Sequence, residues 1–396
     1  MDQKIGQRRS FWLLAAAGAF AILSSTLSKT PALPLLAAHL GAGATEIGSV
    51  AMASTVSGIL ISLPAGALSD LLGRQRMLVA ALLIFATAPF LYLPVHQIWQ
   101  LVLVRFYHGF ATAVFGTVAS AWVASHYSRN RAEMLSTYSS VTIAGRSVAP
   151  FLGGALISIA SFHAVYLACG AAGIIALALG VFLPRDDMRP AQPRTHGSTW
   201  PALRSTLATT LANGALLATS ITESAQYFVF GSVETFLAVY ARAGGIAAWQ
   251  IGVMLGLQLV CVALLKPLIG RVSDRAGRRP VILAGLATGA IGVGLIPACS
   301  SPLALSALSM VFGAGFAGVT SSTSALVSDL SRQDRLGTSM GVLRTIMDTG
   351  QAAGPVVTGA VIGAGGYVAG FEMLAALLLA TAVWFTLKVP AAAVRR

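Results

Sequence analysis

The chain has 396 residues, of which 56% are hydrophobic and only 10% charged, with a mean hydropathy of +0.78. A water-soluble surface cannot be covered with so few ionisable side chains, against about 25% in an ordinary globular chain, and disordered chains are apolar-poor and charge-rich. Both classes are excluded, and at about 20 apolar residues per bilayer crossing the length divides into roughly a dozen crossings of an all-α membrane protein. A net charge of +13 would suggest a nucleic-acid partner in a soluble chain. In a membrane chain it reports orientation, because cytoplasmic loops carry excess Lys and Arg, so no nucleic acid is expected. Cys169, Cys261 and Cys299 lie far apart in apolar stretches, which indicates neither a disulfide framework nor a metal site. No cofactor is expected.

Taken in chain order, Lys4, Arg8 and Arg9 precede an apolar run over 11–23 in the manner of a secretory signal. The polar, proline-containing continuation and the many later spans favour an uncleaved first helix instead. Apolar runs between short polar breaks predict spans at 11–38, 46–68, 77–94, 99–123, 136–160 and 164–183. A polar, Pro-containing stretch follows from Arg185, and six more spans are predicted at 208–240, 249–269, 280–298, 303–327, 338–362 and 367–387. The expected organisation is an N-terminal six-helix bundle (1–184), a cytoplasmic linker (185–207) and a C-terminal six-helix bundle (208–396). A spanning barrel would alternate polar and apolar residues rather than present unbroken apolar runs.

Loop charges fix the expected orientation. With both termini in the cytoplasm, twenty basic residues fall in inside segments, among them Arg74, Arg76, Arg129, Arg131, Arg275 and Arg279, and one, Arg242, falls outside. A missed span would invert every later loop and destroy this asymmetry. The chain also repeats itself. Gly66, Ser69, Asp70, Gly73 and Arg74 recur 204 residues later as Gly270, Ser273, Asp274, Gly277 and Arg278. Glu46-Ile47-Gly48 matches Gln250-Ile251-Gly252 at the same offset, and Gly145–Ala155 matches Gly350–Ala360 at 205. The halves are therefore parallel duplicates, an arrangement common in secondary transporters, whose substrate site lies between repeats.

The duplicated G-x-x-S-D-x-x-G-R loop, Arg105 to Gly109 in span 4, and Gly145 to Gly154 in span 5 together resemble the major facilitator superfamily, specifically its twelve-helix drug–proton antiporter branch, over nearly the whole chain. Two positions depart from the pattern: Leu71 stands where the second copy has Arg275, and Ala149-Pro150 replaces the Gly-Pro that span 11 keeps as Gly354-Pro355. The resemblance implies two pseudo-symmetric six-helix bundles and a cytoplasmic gate built from Gly66, Asp70, Gly73 and Arg74 with Gly270, Asp274, Gly277 and Arg278. It also implies proton transfer at Arg105. Gly145, Pro150, Gly154, Gly350, Gly354 and Pro355 permit bending or close packing.

Ionisable residues at membrane depth cost about 2.5–3.5 kcal/mol each on insertion scales and are functional candidates by default. They are Lys29, Arg105 and Arg146 in the first half and Glu223, Glu234, Arg344 and Asp348 in the second. Glu223 and Glu234, about three helical turns apart, share a face with or beside Thr219, Gln226, Tyr227 and Phe230. Arg344 and Asp348 are spaced to pair at i, i+4. Arg105 and His108 are neighbours at i, i+3. All these faces are expected to turn toward a central aqueous chamber, with the acids exchanging protons and the bases meeting an anionic substrate group.

The function expected is proton-coupled export of a small amphiphilic molecule, anionic or zwitterionic, by a monomer in the cytoplasmic membrane working by alternating access. An uptake symporter or uniporter for an organic anion shares the same fold. A membrane-embedded enzyme is disfavoured because no HExxH, GxSxG or Walker loop is present.

Overall fold

The computed structural model describes residues 2–127, 130–184, 212–331 and 336–389. The expected linker at 185–207 and the side-chain surroundings of Gly66 and Asp70 lie outside that description. Among the described residues every regular element is helical: α1 (Asp2–Lys29), α2 (Ala32–His39), α3 (Ala44–Leu72), α4 (Arg74–Leu91), α5 (Ile98–His126), α6 (Arg131–Ile159), α7 (Phe162–Val181), α8 (Gly214–Ala243), α9 (Ala248–Ala276), α10 (Arg278–Gly294), a 3₁₀ turn (Ile296–Ala298), α11 (Pro302–Leu330) and α12 (Leu336–Lys388).

These elements give the expected spans once two joins are read. The first span is α1 and α2 together, interrupted at Thr30-Pro31, where proline offers no backbone donor. Spans 11 and 12 are one helical run, α12, turned at Gly366 with φ 79° and ψ 177°, a conformation nearly confined to glycine. Among the described residues 10 segments are long and apolar enough to cross a membrane, the last of them the double helix Thr338–Lys388. The 30-residue α8 is long enough but too polar to qualify by composition. With it and both arms of α12, twelve crossings are accounted for.

Local sequence explains where several helices start. Ser161 Oγ accepts from the Ala164 amide (3.3 Å) ahead of α7, and Ser301 Oγ accepts from Ala304 (3.1 Å) ahead of α11, whose first residue is Pro302. Such caps satisfy amide donors that a helix leaves unpaired in its first turn. At the start of α5, Gln97 and Gln100 cap each other's backbone reciprocally.

The chain forms two compact units. Among the described residues, one holds 2–42, 49–127, 130–184 and 247–256; the other holds 43–48, 212–246, 257–331 and 336–389. In the first, α1 packs along α6 and α7, and α4 along α5 and α7, around a fully buried core that includes Phe11, Leu14, Phe85, Phe115 and Trp122. In the second, α8 packs along α12 and α10 along α11. Large apolar side chains such as Leu103, Leu264, Leu303 and Val383 are exposed, an outward-apolar surface suited to lipid rather than water.

Candidate functional site

The duplicated loop keeps one backbone geometry in both halves. Gly73 has φ 90° and Gly277 has φ 93°, and each immediately precedes a helix that opens on arginine. The side chains then diverge. Arg74 donates through Nη1 to Ser125 Oγ at the end of α5. Arg278 donates to Asp274, to Asp329 Oδ2 at 3.1 Å and to Ser273 Oγ at 3.4 Å. Asp329 lies 204 residues after Ser125, so the two loops make the same contact with different chemistry. The next residue is also used twice: Gln75 Nε2 donates to the Leu183 carbonyl (3.0 Å) beyond α7, and Arg279 Nη2 to the Thr386 carbonyl (3.1 Å) near the end of α12. A methyl group on Gly270 would meet no atom within 4 Å, so close approach is not the reason for glycine there.

The other two repeats have equally direct physical causes. Glu46 Oε2 accepts from the Gly43 amide (2.8 Å), and Gln250 Oε1 accepts from the Ala247 amide (3.2 Å), so both cap the helix that follows. Two residues on, a methyl group at Gly48 would press on the Pro355 carbonyl, 2.7 Å from its carbon, and one at Gly252 would press on the Pro150 carbonyl and lie 2.9 Å from Gly154 Cα. Gly154 itself faces the Ala248 carbonyl, as Gly359 faces that of Ala44. Gly145 would place a methyl 2.5 Å from the Ala19 carbonyl oxygen, and Gly350 one against Ser224, the equivalent residue in the second half. Gly354 meets the backbone of Phe228 in the same way, while its counterpart Ala149 is fully buried in a core cluster against which Leu23 packs. Glycine here serves close helix approach.

Arg105 and His108, which were expected to face an aqueous chamber, are 4% and 1% exposed and pack among side chains of their own bundle. The His108 ring meets Phe85 edge-on at 5.7 Å, its Nδ1 lies 3.5 Å from the Tyr92 hydroxyl, and Tyr92 stacks on Tyr166 at 4.4 Å. Arg105 bonds to Tyr92, and its charge also reaches Tyr166 and Cys169 in the same bundle. Arg105 Nε, His108 Nε2 and the Tyr166 hydroxyl have no partner among the described residues. The physical reason is that a helix in a bundle has several buried faces, and aromatic rings from α4 and α7 occupy this one. Arg146 is exposed on α6, and Lys29 is half-buried in the last turn of α1.

In the second half, Glu223 is 3% exposed, and its Oε2 accepts from Thr323 Oγ1 on α11 at 2.9 Å. Ser324 on α11 and Lys266 on α9 also act on this carboxyl. One turn on, Gln226 is fully buried with neither amide atom partnered among the described residues. Glu234 is buried farther along α8. Tyr227 and Phe230 meet Phe316 at 5.0 and 4.4 Å, giving α8 an aromatic wall beside its acids. The expected Arg344–Asp348 pair forms at 3.9 Å, the arginine largely exposed. None of the described His, Cys, Asp or Glu residues cluster as metal ligands.

A family model described as Major Facilitator Superfamily matches residues 13–257 and 219–396. The chain belongs to the major facilitator superfamily. As a member, it is a transporter and not an enzyme. Among its relatives, an uncharacterized MFS-type transporter of Methanocaldococcus jannaschii is 24% identical over 83% of this chain and 85% of its own length. The multi-drug resistance efflux pump PmrA of Streptococcus pneumoniae is 24% identical over 86% of each chain. The multidrug resistance protein MdtG of Klebsiella pneumoniae is 24% identical over 81% of this chain and 78% of its own. Crystal structures of the nucleoside transporter NupG (TM-score 0.74, 14% identity, 96% and 99% coverage) and of a bacterial homolog to the human lysosomal transporter Spinster (TM-score 0.78, 15% identity, 96% of each) share the fold.

Three participants in this superfamily member were not singled out in the sequence. Ser125 and Asp329 are isolated polar residues at helix ends, and only the repeat offset connects them to Arg74 and Arg278. Lys266 adjoins Pro267 near the end of span 8 and is the second basic residue within the second half's spans. Chemically, the second half offers a buried carboxyl with a hydroxyl donor and a nearby cation, and the first half offers bases without a membrane acid.

Proposed function

We propose that this transporter exports a small amphiphilic organic molecule in exchange for protons, by alternating access, with Glu223 as the proton-carrying group. The observation that carries the reading is the carboxyl of Glu223, buried at membrane depth, which accepts from the Thr323 hydroxyl at 2.9 Å with Ser324 and Lys266 also acting on it. Such a group is costly to keep unless it works, and a carboxylic acid that meets different surroundings in turn can load and release a proton. Relatives named for multidrug efflux support export as the direction. Glu234 and Asp348 are the further acids of the same half, and Arg146 and Lys29 are bases suited to an anionic or zwitterionic group. The loop-charge asymmetry supports a cytoplasmic membrane location with both termini inside, and the chain is proposed to act as a monomer.

The test is a growth-protection and accumulation screen in a bacterial host stripped of its own exporters. Expression of the chain lowers intracellular levels of at least one amphiphilic compound, and Glu223→Gln restores them. Protection undiminished in Glu223→Gln removes this residue from the mechanism. Higher accumulation on expression reverses the direction.

A further inference from the structure

The buried cluster around α5 carries a surplus of hydrogen-bond donors. A guanidinium has no acceptor atom, so in the Arg105–Tyr92 bond the arginine donates to the phenol oxygen. The Tyr92 proton is then directed to His108 Nδ1, 3.5 Å away, and a neutral imidazole that accepts at Nδ1 carries its hydrogen on Nε2. The buried groups of this cluster that lack a partner among the described residues, Arg105 Nε–H, His108 Nε2–H and Tyr166 O–H, are therefore all donors. Among the described residues no carboxylate pairs with Arg105. The second half fills the same place without charge. A methyl group on Gly109 would press on Ser54 and one on Gly313 on Gln258, positions each 204 residues apart, so α5 and α11 correspond in register. Ser309 there stands for Arg105 and Phe312 for His108, and Ser309 Oγ donates to Gln258 Oε1 at 2.6 Å. The fold itself does not call for a cation at this depth.

We propose that this cluster is a resident site for one monovalent inorganic anion, a halide such as chloride, held inside the first bundle by Arg105, His108 and Tyr166. Unmet buried donors and an unpaired buried cation are each costly, and a single small anion answers both. A water molecule would bring two protons of its own and leave the charge standing. The aromatic surroundings of Phe85, Tyr92 and Tyr166 suit a weakly hydrated, single-atom ion rather than a bulky or polyvalent one. Arg105 lies about 10 Å along α5 from its first residue, Ile98, so the ion has a short path from that end of the helix. The inference goes beyond the transport reading and does not depend on it, because the ion is a fixed part of the bundle, neither cargo nor proton carrier.

Thermal unfolding of the full-length protein in detergent tests it, with chloride titrated against gluconate at constant ionic strength. Chloride is expected to raise the melting temperature saturably, by about 3–6 °C at about ten times its dissociation constant. Equilibrium dialysis with radiolabelled chloride is expected to find one ion per chain. Arg105→Met is expected to fold and to lose both responses. Tyr166→Phe, which removes one donor and keeps the ring, is expected to weaken chloride binding about ten-fold. Equal melting curves in chloride and gluconate, or chloride responses undiminished in both variants, would overturn the proposal. The comparison of the two salts is made on the unaltered protein, so it decides the matter even where a variant fails to fold.

Discussion

Alanine at Gly354 separates two roles that glycine can play in α12, close packing and bending. A methyl group there would meet the carbonyl oxygen of Phe228, its carbon at 2.9 Å and its Cα at 3.0 Å. All three are backbone atoms and none can rotate aside. Ordinary contact begins near 3.4 Å, so α8 and α12 must part by about 0.5 Å or more. Overpacking of this kind costs about 1–3 kcal/mol. Alanine regains about 1 kcal/mol of helix propensity over glycine, leaving a net loss of up to about 2 kcal/mol. Gly341, on the same helix and with nothing within 4 Å, supplies the control: Gly341→Ala regains the propensity without the clash. At about 2–4 °C per kcal/mol for a unit of this size, thermal unfolding in detergent should fall by several degrees for Gly354→Ala and hold or rise for Gly341→Ala. If both variants shift in the same direction by the same amount, Gly354 is not a packing glycine and the α8–α12 pair is not rigid at this point.

Three other outcomes are expected. Arg105→Met, which replaces a buried guanidinium with an apolar chain of similar length, should leave the melting temperature unchanged or raised, since buried charges are often replaced without loss; a fall of many degrees would mean that the aromatic cluster depends on the charge. Gly277→Ala should destabilise by about 1–3 kcal/mol, because φ 93° with ψ 151° is a nearly glycine-only conformation, with thermal unfolding as the measurement. Glu223→Gln should fold normally, since an amide oxygen can still accept from Thr323, and should retain exchange of substrate for substrate across vesicles while losing response to pH.

The elements that were legible from the sequence share one property: their cause is local or repeated. Long apolar runs set the spans, and the repeat at 204–205 residues marked Glu46, Gly48 and Gly73 with their partners in the second half, positions at which the structure then shows a cap, a close approach and a loop turn. Bundle-internal direction was not legible. Arg105 and His108 sit at helical spacing that fits either a chamber or a packed interior, and only the rings of Phe85, Tyr92 and Tyr166, brought from two other helices, decide between them. Asp329 was passed over because its partner Arg278 is 51 residues away, and Lys266 because it borders a proline near an expected helix end.

Proteoliposomes with an imposed pH gradient test the central claim most directly, using a substrate from the accumulation screen. Unaltered protein is expected to accumulate it above equilibrium and to lose that accumulation when a protonophore dissipates the gradient, while Glu223→Gln only equilibrates. Uphill accumulation by Glu223→Gln, or accumulation by the unaltered protein that survives the protonophore, would contradict the account.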